Sequence, residues 1–465
     1  MGAACQELRP HEPEHDCSDM ADAFARLNFG TRNDTSTSGQ QEVHLPDAAV
    51  RSIATYLVQN EPPGHALVHL LAFCGVCRQW RAVAREVNPG VCIGFDVLEN
   101  TFCSQSSIQR FRRLSMVQKE EVFYAAARLL YGYTEVTFFG EAVSDRLLSA
   151  VSLYVGAKLV KVKLTNAKHV TDTALCALVR SAPMLQYFTA EELDRVQGAF
   201  LEPLINGCQL LTMAHVANIP SLSWSACKKS CDKWGPKCLT KLVVRTVGLD
   251  ESFGIIISKL GSLTDLELDG PAVNIKAGAL HCPALSRVSY LVGRKFDLDE
   301  ALPALQHIRE LKQLELIVRN FVLTADNLRH IGSLPVADLR LDSYVYKQQP
   351  TLSRSSYSHV DNEGVKALVD GICNRWSQQS TGEKLIYMCP MKLSLCGATA
   401  LTHDAVSALL RLPVLTELDI GGCCKITAMD KMRLVAKVKA GREMLESGRR
   451  PQARMVNSRF PGLML

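Results

Sequence analysis

Long hydrophobic runs are missing from this chain of 465 residues. The apolar stretch Phe253–Leu260 is short and broken by Lys259, against the ~18 apolar residues that a membrane-crossing helix needs. An excess of either charge is missing too. The 52 basic and 47 acidic side chains leave a formal net charge of +5, which points away from a nucleic-acid surface or a strong membrane attraction. No apolar h-region opens the chain. Residues 1–20 carry Glu7, Arg9, Glu12, Glu14, Asp16 and Asp19, so no secretory signal is expected. Neither a Gly-rich phosphate loop nor a Gly-x-Ser-x-Gly elbow is present, and we expect a binding protein, not an enzyme.

Cysteine, by contrast, is plentiful. The 17 cysteines are odd in number and scattered, which argues against a disulfide framework. They read as reduced thiols of the cytosol or nucleus, packed as small hydrophobes. Cys227-x-x-x-Cys231, with Cys208 and Cys238, lacks a second clean pair, so no metal and no cofactor are expected. Gly2 with Cys5 offers the start of an acylation signal, but Gln6 stands where Ser or Thr is needed. Residues 1–42, acidic and then polar, read as disordered because they bury too little apolar surface to offset the entropy of ordering.

Residues 45–88 read as a small helical module. Val50, Ile53, Tyr56 and Leu57 recur at the spacing of one helix face, and Pro62 and Pro63 end that helix. A second apolar run covers 66–76, and a third helix carries Trp80, Val83 and Ala84. Residues 89–132 read as connector helices.

From 133 to 424 one unit recurs: apolar, two variable, apolar, one variable, apolar. The clearest copies are Leu239-x-x-Leu242-x-Val244, Leu263-x-x-Leu266-x-Leu268, Leu311-x-x-Leu314-x-Leu316 and Leu415-x-x-Leu418-x-Ile420. Weaker copies start at Tyr133, Leu159, Leu185, Leu211, Leu285, Val336 and Pro390. Successive starts lie 22–28 residues apart, except for one gap of 54 after Val336. That period, in the range of ~20–29 residues, belongs to leucine-rich repeats, in which a short strand turns its leucines inward and a helical limb returns the chain. Thr171-Asp172 and Thr402-His403-Asp404 are expected to cap such limbs through their side-chain oxygens. The long gap, about 343–382, reads as an insertion within one repeat, with a degenerate twelfth repeat as the alternative. Residues 425–465 read as a basic cap and tail without the aromatic platform that nucleic-acid binding would add.

Further detail resembles the cysteine-containing subclass of these repeats: Val170-Thr171-Asp172, Leu401-Thr402-His403-Asp404, Cys423-Cys424-Lys425-Ile426-Thr427, and the exits Ala182-Pro183-Met184-Leu185 and Cys282-Pro283-Ala284-Leu285. The module at 45–88 resembles an F-box through Leu45-Pro46-Asp47, Val50, Ile53, Tyr56-Leu57, Leu70, Val76-Cys77-Arg78 and Trp80-Arg81, with a longer stretch at 58–67 than that family usually has. The chain thus resembles an F-box protein with cysteine-containing leucine-rich repeats. The resemblance implies an α/β leucine-rich-repeat horseshoe, a ribonuclease-inhibitor-like solenoid, preceded by a small all-α F-box. It also implies a function: the substrate-recognition subunit of a Skp1–cullin–F-box ubiquitin ligase. Leu45, Pro46, Ile53, Leu57, Val76 and Trp80 would then meet the Skp1-like adaptor, and an unknown protein substrate would sit on the repeats. A repeat scaffold acting outside ubiquitin transfer remains the alternative.

Because side chains alternate along a strand, the residues between the leucines face outward. They are Lys161, Lys163 and Thr165; Tyr187, Thr189 and Glu191; Met213 and His215; Lys241, Val243 and Arg245; Asp265, Glu267 and Asp269; and Asp338, Arg340 and Asp342. Lys161, Lys163, Lys241 and Arg245 suggest a basic zone beside an acidic ladder of Asp265, Glu267 and Asp269. With Tyr187 they are the candidate target-binding residues, and the ladder would take a basic segment.

Overall fold

The computed structural model describes residues 46–60, 83, 91–94, 115, 117–118, 120, 124, 133–141, 143–225, 238–245, 251–269, 282, 284–292, 298–306, 308, 310–319, 321–344, 358–379 and 391–447. Residues 1–42 with Gly2 and Cys5, the adaptor candidates Leu45, Val76 and Trp80, the cysteines Cys227 and Cys231, and residues 448–465 lie outside them. The chain divides into two compact units, Met1–Arg195 and Val196–Leu465.

The first unit holds α1 (Asp47–Asn60), β1 (Val91–Gly94), β2 (Glu135–Phe139), α2 (Asp145–Tyr154), a 3-10 turn at Gly156–Lys158, β3 (Lys161–Thr165), α3 (Asp172–Ser181) and β4 (Tyr187–Glu191). The four strands are parallel and ordered as in the chain. The apolar positions of the repeat turn inward as their alternation demands. Leu159, Val162 and Leu164, and then Leu185, Phe188 and Ala190, are all buried. Strand β1 is an element that the reading of 89–132 as connector helices did not include: Val91–Gly94 pairs with β2 in register Val91↔Val136, whereas residues 117, 118, 120 and 124 are helical. The tetrapeptide lacks the leucines of the repeat and stands far from the next copy, so the period could not find it.

The second unit holds α4 (Leu201–Gly207), β5 (Met213–Ala217), β6 (Lys241–Arg245), α5 (Glu251–Lys259), β7 (Asp265–Asp269), β8 (Arg287–Val292), α6 (Leu298–Gln306), β9 (Gln313–Val318), α7 (Ala325–Ser333), β10 (Asp338–Ser343), α8 (Asn362–Gln379), β11 (Met391–Ser394), α9 (His403–Leu409), β12 (Leu415–Asp419) and α10 (Ala428–Glu446). Its strands are again parallel neighbours in chain order. Both units are leucine-rich-repeat α/β solenoids. The core follows the hexamers here too: Leu239, Leu242, Val244, Leu263, Leu266, Leu268, Leu311, Leu314 and Leu316 are each no more than 3% exposed.

Neighbouring strands are locked together at their entries. The carbonyl of Val160 accepts the N–H groups of Gln186 (2.8 Å) and Tyr187 (3.0 Å), and that of Thr240 accepts those of Thr264 and Asp265 (both 2.9 Å). At Thr240 the Thr264 hydroxyl donates as well, at 3.1 Å. Strands β2, β3, β4 and β5 are also left by one turn type. Gly140, Asn166 and Glu192 in the first unit, and Asn218 in the second, take positive φ just after them. The αL backbone aims the N–H of Asn166 at Glu191 O (3.0 Å), continuing the ladder past the strand end.

Thr171 and Thr402 do precede helices, but neither caps through its own side chain. Asp145, at the start of α2, takes both the Thr171 N–H (2.8 Å) and its hydroxyl (2.7 Å). Asn362, at the start of α8, accepts the Thr402 N–H (3.0 Å) and donates to its hydroxyl (2.8 Å). A carboxylate or amide from the preceding helix outcompetes the local cap, so these threonines tie repeats together.

β10 hydrogen-bonds directly to β11, with Asp338↔Lys392, Leu339↔Leu393 and Arg340↔Ser394 in register. A further repeat would place its own strand between them. Helix α8, at 18 residues, lies in the long gap as the limb between these two strands. Two glycines let α8 touch α7. A Cβ on Gly371 would collide with Arg329 O, and one on Gly332 with Leu368 O. His359, just before α8, is fully buried, and its Nε2 lies 2.8 Å from Leu341 O in β10. A carbonyl only accepts, so Nε2 carries the proton. Burial holds this imidazole down to about 4, with the backbone hydrogen bond opposing.

At the far end α10 lies on β12. A Cβ on Gly441 would strike Leu415 O, and Arg442 Nε donates to Thr416 O at 2.7 Å.

Two outcomes follow for the second unit. Gly371→Ala should lower the unfolding free energy by about 1–3 kcal/mol, read from denaturant melts, because the α7–α8 backbones must part and this outweighs alanine's better helix propensity. His359 has a folded pKa below its unfolded value of 6.5, so the unfolded chain takes up the proton first as pH falls. Stability is complete above pH 6.5 and drains by about 3 kcal/mol on the way to pH 4. His359→Gln should flatten the dependence of the thermal midpoint on pH in that window.

Candidate interaction surface

The outward strand faces are built by register. In the first unit Glu135, Lys161 and Tyr187 form one row, and Thr137, Lys163 and Thr189 the next. Lys161, Lys163 and Tyr187 are exposed. Lys161 reaches Glu135 across the strands at 3.3 Å. No ion pair engages Lys163 among the described residues, so it projects a bare ammonium from a row of hydroxyls. Beyond the strands Lys168 pairs with Glu141 at 2.7 Å, and this hydrogen bond holds the Glu141 carboxyl below its ordinary range.

In the second unit the first row runs Met213, Lys241, Asp265, Arg287, Gln313, Asp338, Lys392 and Glu417. Its charges are arranged to cancel. Asp265 sits between Lys241 (3.6 Å) and Arg287 (3.5 Å), and its side chain is only 18% exposed. Arg287 Nε also donates to Gln313 at 2.8 Å. Arg340 pairs with Asp338 (3.3 Å), and Lys392 with Glu417 (2.9 Å). In the second row Val243, Glu267, Ser289 and Glu315 stand abreast, and Ser289 donates to Glu315 at 3.0 Å. Arg245, which is in register with Asp269, reaches back diagonally to pair with Glu267. Asp269 has its carboxyl raised by burial, against the opposing charges of Arg245 and Arg319.

The acids of β7 are thus not a free ladder awaiting a basic segment. Asp265 and Glu267 already hold Lys241, Arg287 and Arg245, because register puts Lys241 and Arg287 abreast of Asp265 and leaves Arg245 one step along its strand from Glu267. The alternation rule named most of this face but could not show its register. Two of the named outward positions are buried. Val243 is 3% exposed, and Asp342 is 8% exposed. Asp342 accepts from the Ser394 hydroxyl (2.6 Å) and the Cys396 N–H (3.3 Å), which makes it a tie between β10 and β11. Glu315, Lys392 and Glu417 belong to the face and were missed, although the same alternation rule, applied to β9, β11 and β12, reaches them.

At the N-terminal end α1 shows two sides. Val50 and Ala54 are buried, whereas Pro46, Ile53 and Tyr56 are exposed. Leu57 belongs to the same helix.

Four of the described thiols are buried. Burial pushes Cys208, Cys282, Cys396 and Cys423 up to about 12, so they are neutral at physiological pH. Cys282 donates to Ile257 O at 2.8 Å and Cys423 to Leu395 O at 3.4 Å. Among the described residues no group of three or more His, Cys, Asp or Glu side chains is placed to hold a metal ion. No helix among them is long and apolar enough to cross a membrane.

No family model matches the chain. No curated protein matches it either. Solved structures give distant likenesses. A chain of the Rad7 and Elc1 complex in yeast is 12% identical, with a TM-score of 0.40, over 90% of this chain and 91% of that one. A chain of the TLR13–ssRNA13 complex is 13% identical, with a TM-score of 0.32, over 63% of this chain and 43% of that one. A leucine-rich-repeat protein of Leptospira interrogans is 10% identical, with a TM-score of 0.28, over 68% of this chain and 90% of that one. The repeat architecture rests on strand register and burial, not on these scores.

The pairing on β6–β8 has a measurable consequence. Asp265→Lys puts like charges side by side on three adjacent strands and should cost about 1–2 kcal/mol at low ionic strength. The loss should shrink in high salt, read as the difference in thermal midpoint between the two conditions.

Proposed function

We propose that this chain is the substrate-recognition subunit of a Skp1–cullin–F-box ubiquitin ligase. In this reading the N-terminal module binds the Skp1-like adaptor, and the outward strand faces hold the target protein. The observation that carries it is α1. This helix starts at Asp47, the last residue of the Leu45-Pro46-Asp47 motif that resembles an F-box start, and turns Val50 and Ala54 inward. It leaves Pro46, Ile53 and Tyr56 in solvent, with Ile53 40% and Tyr56 66% exposed. Ile53 and Tyr56 lie three residues apart, hence side by side on the helix surface. Exposed apolar side chains that neighbour one another favour burial against a partner.

The repeats support the second half of the reading. Their strands present rows of alternating polar side chains on rigid backbone, a surface that discriminates partners by charge pattern.

Ile53→Asp should abolish co-purification of Skp1 and cullin with the full chain while leaving its thermal midpoint within about a degree, since an exposed substitution costs little stability. Retention of both partners by this variant would refute the assignment of α1. Capture of Skp1 without cullin by the unaltered chain would favour a scaffold outside ubiquitin transfer.

A further inference from the structure

Helix α10 has its amphipathic character partly turned outward. Its inner side, Asp430, Leu434 and Gly441, faces β12 and α9. Its outer side carries Met429, Met432 and Val435, each 68% exposed. These recur at three-residue steps over two turns, about 9 Å of helix, and form one stripe. Large apolar side chains scattered singly on a surface need no explanation, but three adjoining ones do.

The charges bordering the stripe are of one sign. Lys425, Lys431 and Arg433 are exposed around it. The one acid of α10 before Glu443 is Asp430, which is buried and already engaged. Its carboxylate accepts the hydroxyl of the N-cap Thr427 (2.8 Å), bonds His403 Nδ1 (2.8 Å) and lies 3.6 Å from Arg433. Further along, Lys439 approaches Glu443 at 3.9 Å, so the later turns are close to neutral.

We propose that this stripe is a docking surface for a partner protein's amphipathic helix whose apolar face is rimmed by carboxylates. Two turns of apolar side chains match the footprint of one crossing helix. The bordering cations select the charge of the rim, and they disfavour a second copy of this chain, whose own stripe carries the same cations. A lipid surface fits less well. The stripe has no aromatic side chain to sit at the interface, and Glu443 and Glu446 face solvent further along the same helix. This surface uses none of the residues of α1 or of the outward strand faces, so it adds a contact to the function proposed above.

Methionine suits such a site. Its unbranched, polarizable side chain adapts to differently shaped partner faces.

The test uses the full chain and two fluorescent synthetic helices of about three heptads, with Leu at the a and d positions and either Glu or Lys at e and g. Anisotropy should show the Glu-rimmed helix binding at least about tenfold more tightly than the Lys-rimmed one, with the preference falling as salt rises. The pair Met432→Asp and Val435→Asp should remove binding of both without moving the thermal midpoint. The pair Lys425→Glu and Lys431→Glu should reverse the preference, a gain that misfolding cannot produce. Equal binding of the two helices, retained binding by the aspartate pair, or capture by phosphatidylserine vesicles in place of either helix overturns the proposal.

Discussion

Everything in both units depends on carbonyls shared at the strand entries. The oxygens of Thr134 and Val160 in the first unit, and of Thr212, Thr240, Thr264, Ser286 and Lys312 in the second, each accept two N–H groups from the following repeat. A single repeat has nothing to offer these acceptors and no cover for its leucines. Each unit is therefore stabilised by what its neighbours complete, the one-dimensional logic of stacked repeats. This same ladder fixes which outward side chain stands beside which, and so decides the charge pattern of the surface.

The period and the inward leucines were legible in the sequence because burial obeys a spacing of two within a strand. Such positions need no tertiary knowledge: Val162 and Leu164, or Leu266 and Leu268, announce themselves by alternation. Strand β1 was not legible, since Val91–Gly94 carries no leucine pattern and is recruited by its neighbour's edge. The outward residues were legible as a set, but their pairing was not. Asp265 meets Lys241 and Arg287 only because register brings 241, 265 and 287 abreast. Burial of Asp342 depends on Ser394 and Cys396, which lie 52 and 54 residues away across the long gap. Thr171 and Thr402 looked like local caps, and only the fold shows that Asp145 and Asn362 claim them.

Self-neutralisation alters what the strand face of the second unit can do for a partner. A salt-bridged row contributes little raw attraction, because any incoming charge must compete with a pair already made. Its value lies in rejection. A partner lacking the matching order of charges leaves several pairs half-broken and partly desolvated. The face of the first unit is different, for Lys163 has no such pair among the described residues and can engage a carboxylate at no exchange cost.

The seating of α10 on β12 closes off the last strand's outer edge with Leu415 O under Gly441 and Thr416 O held by Arg442. A carbonyl so occupied is not open to pairing with another strand, whether from a second molecule or from an added repeat. An added strand could pair with β12 at these two residues only after α10 had been lifted away.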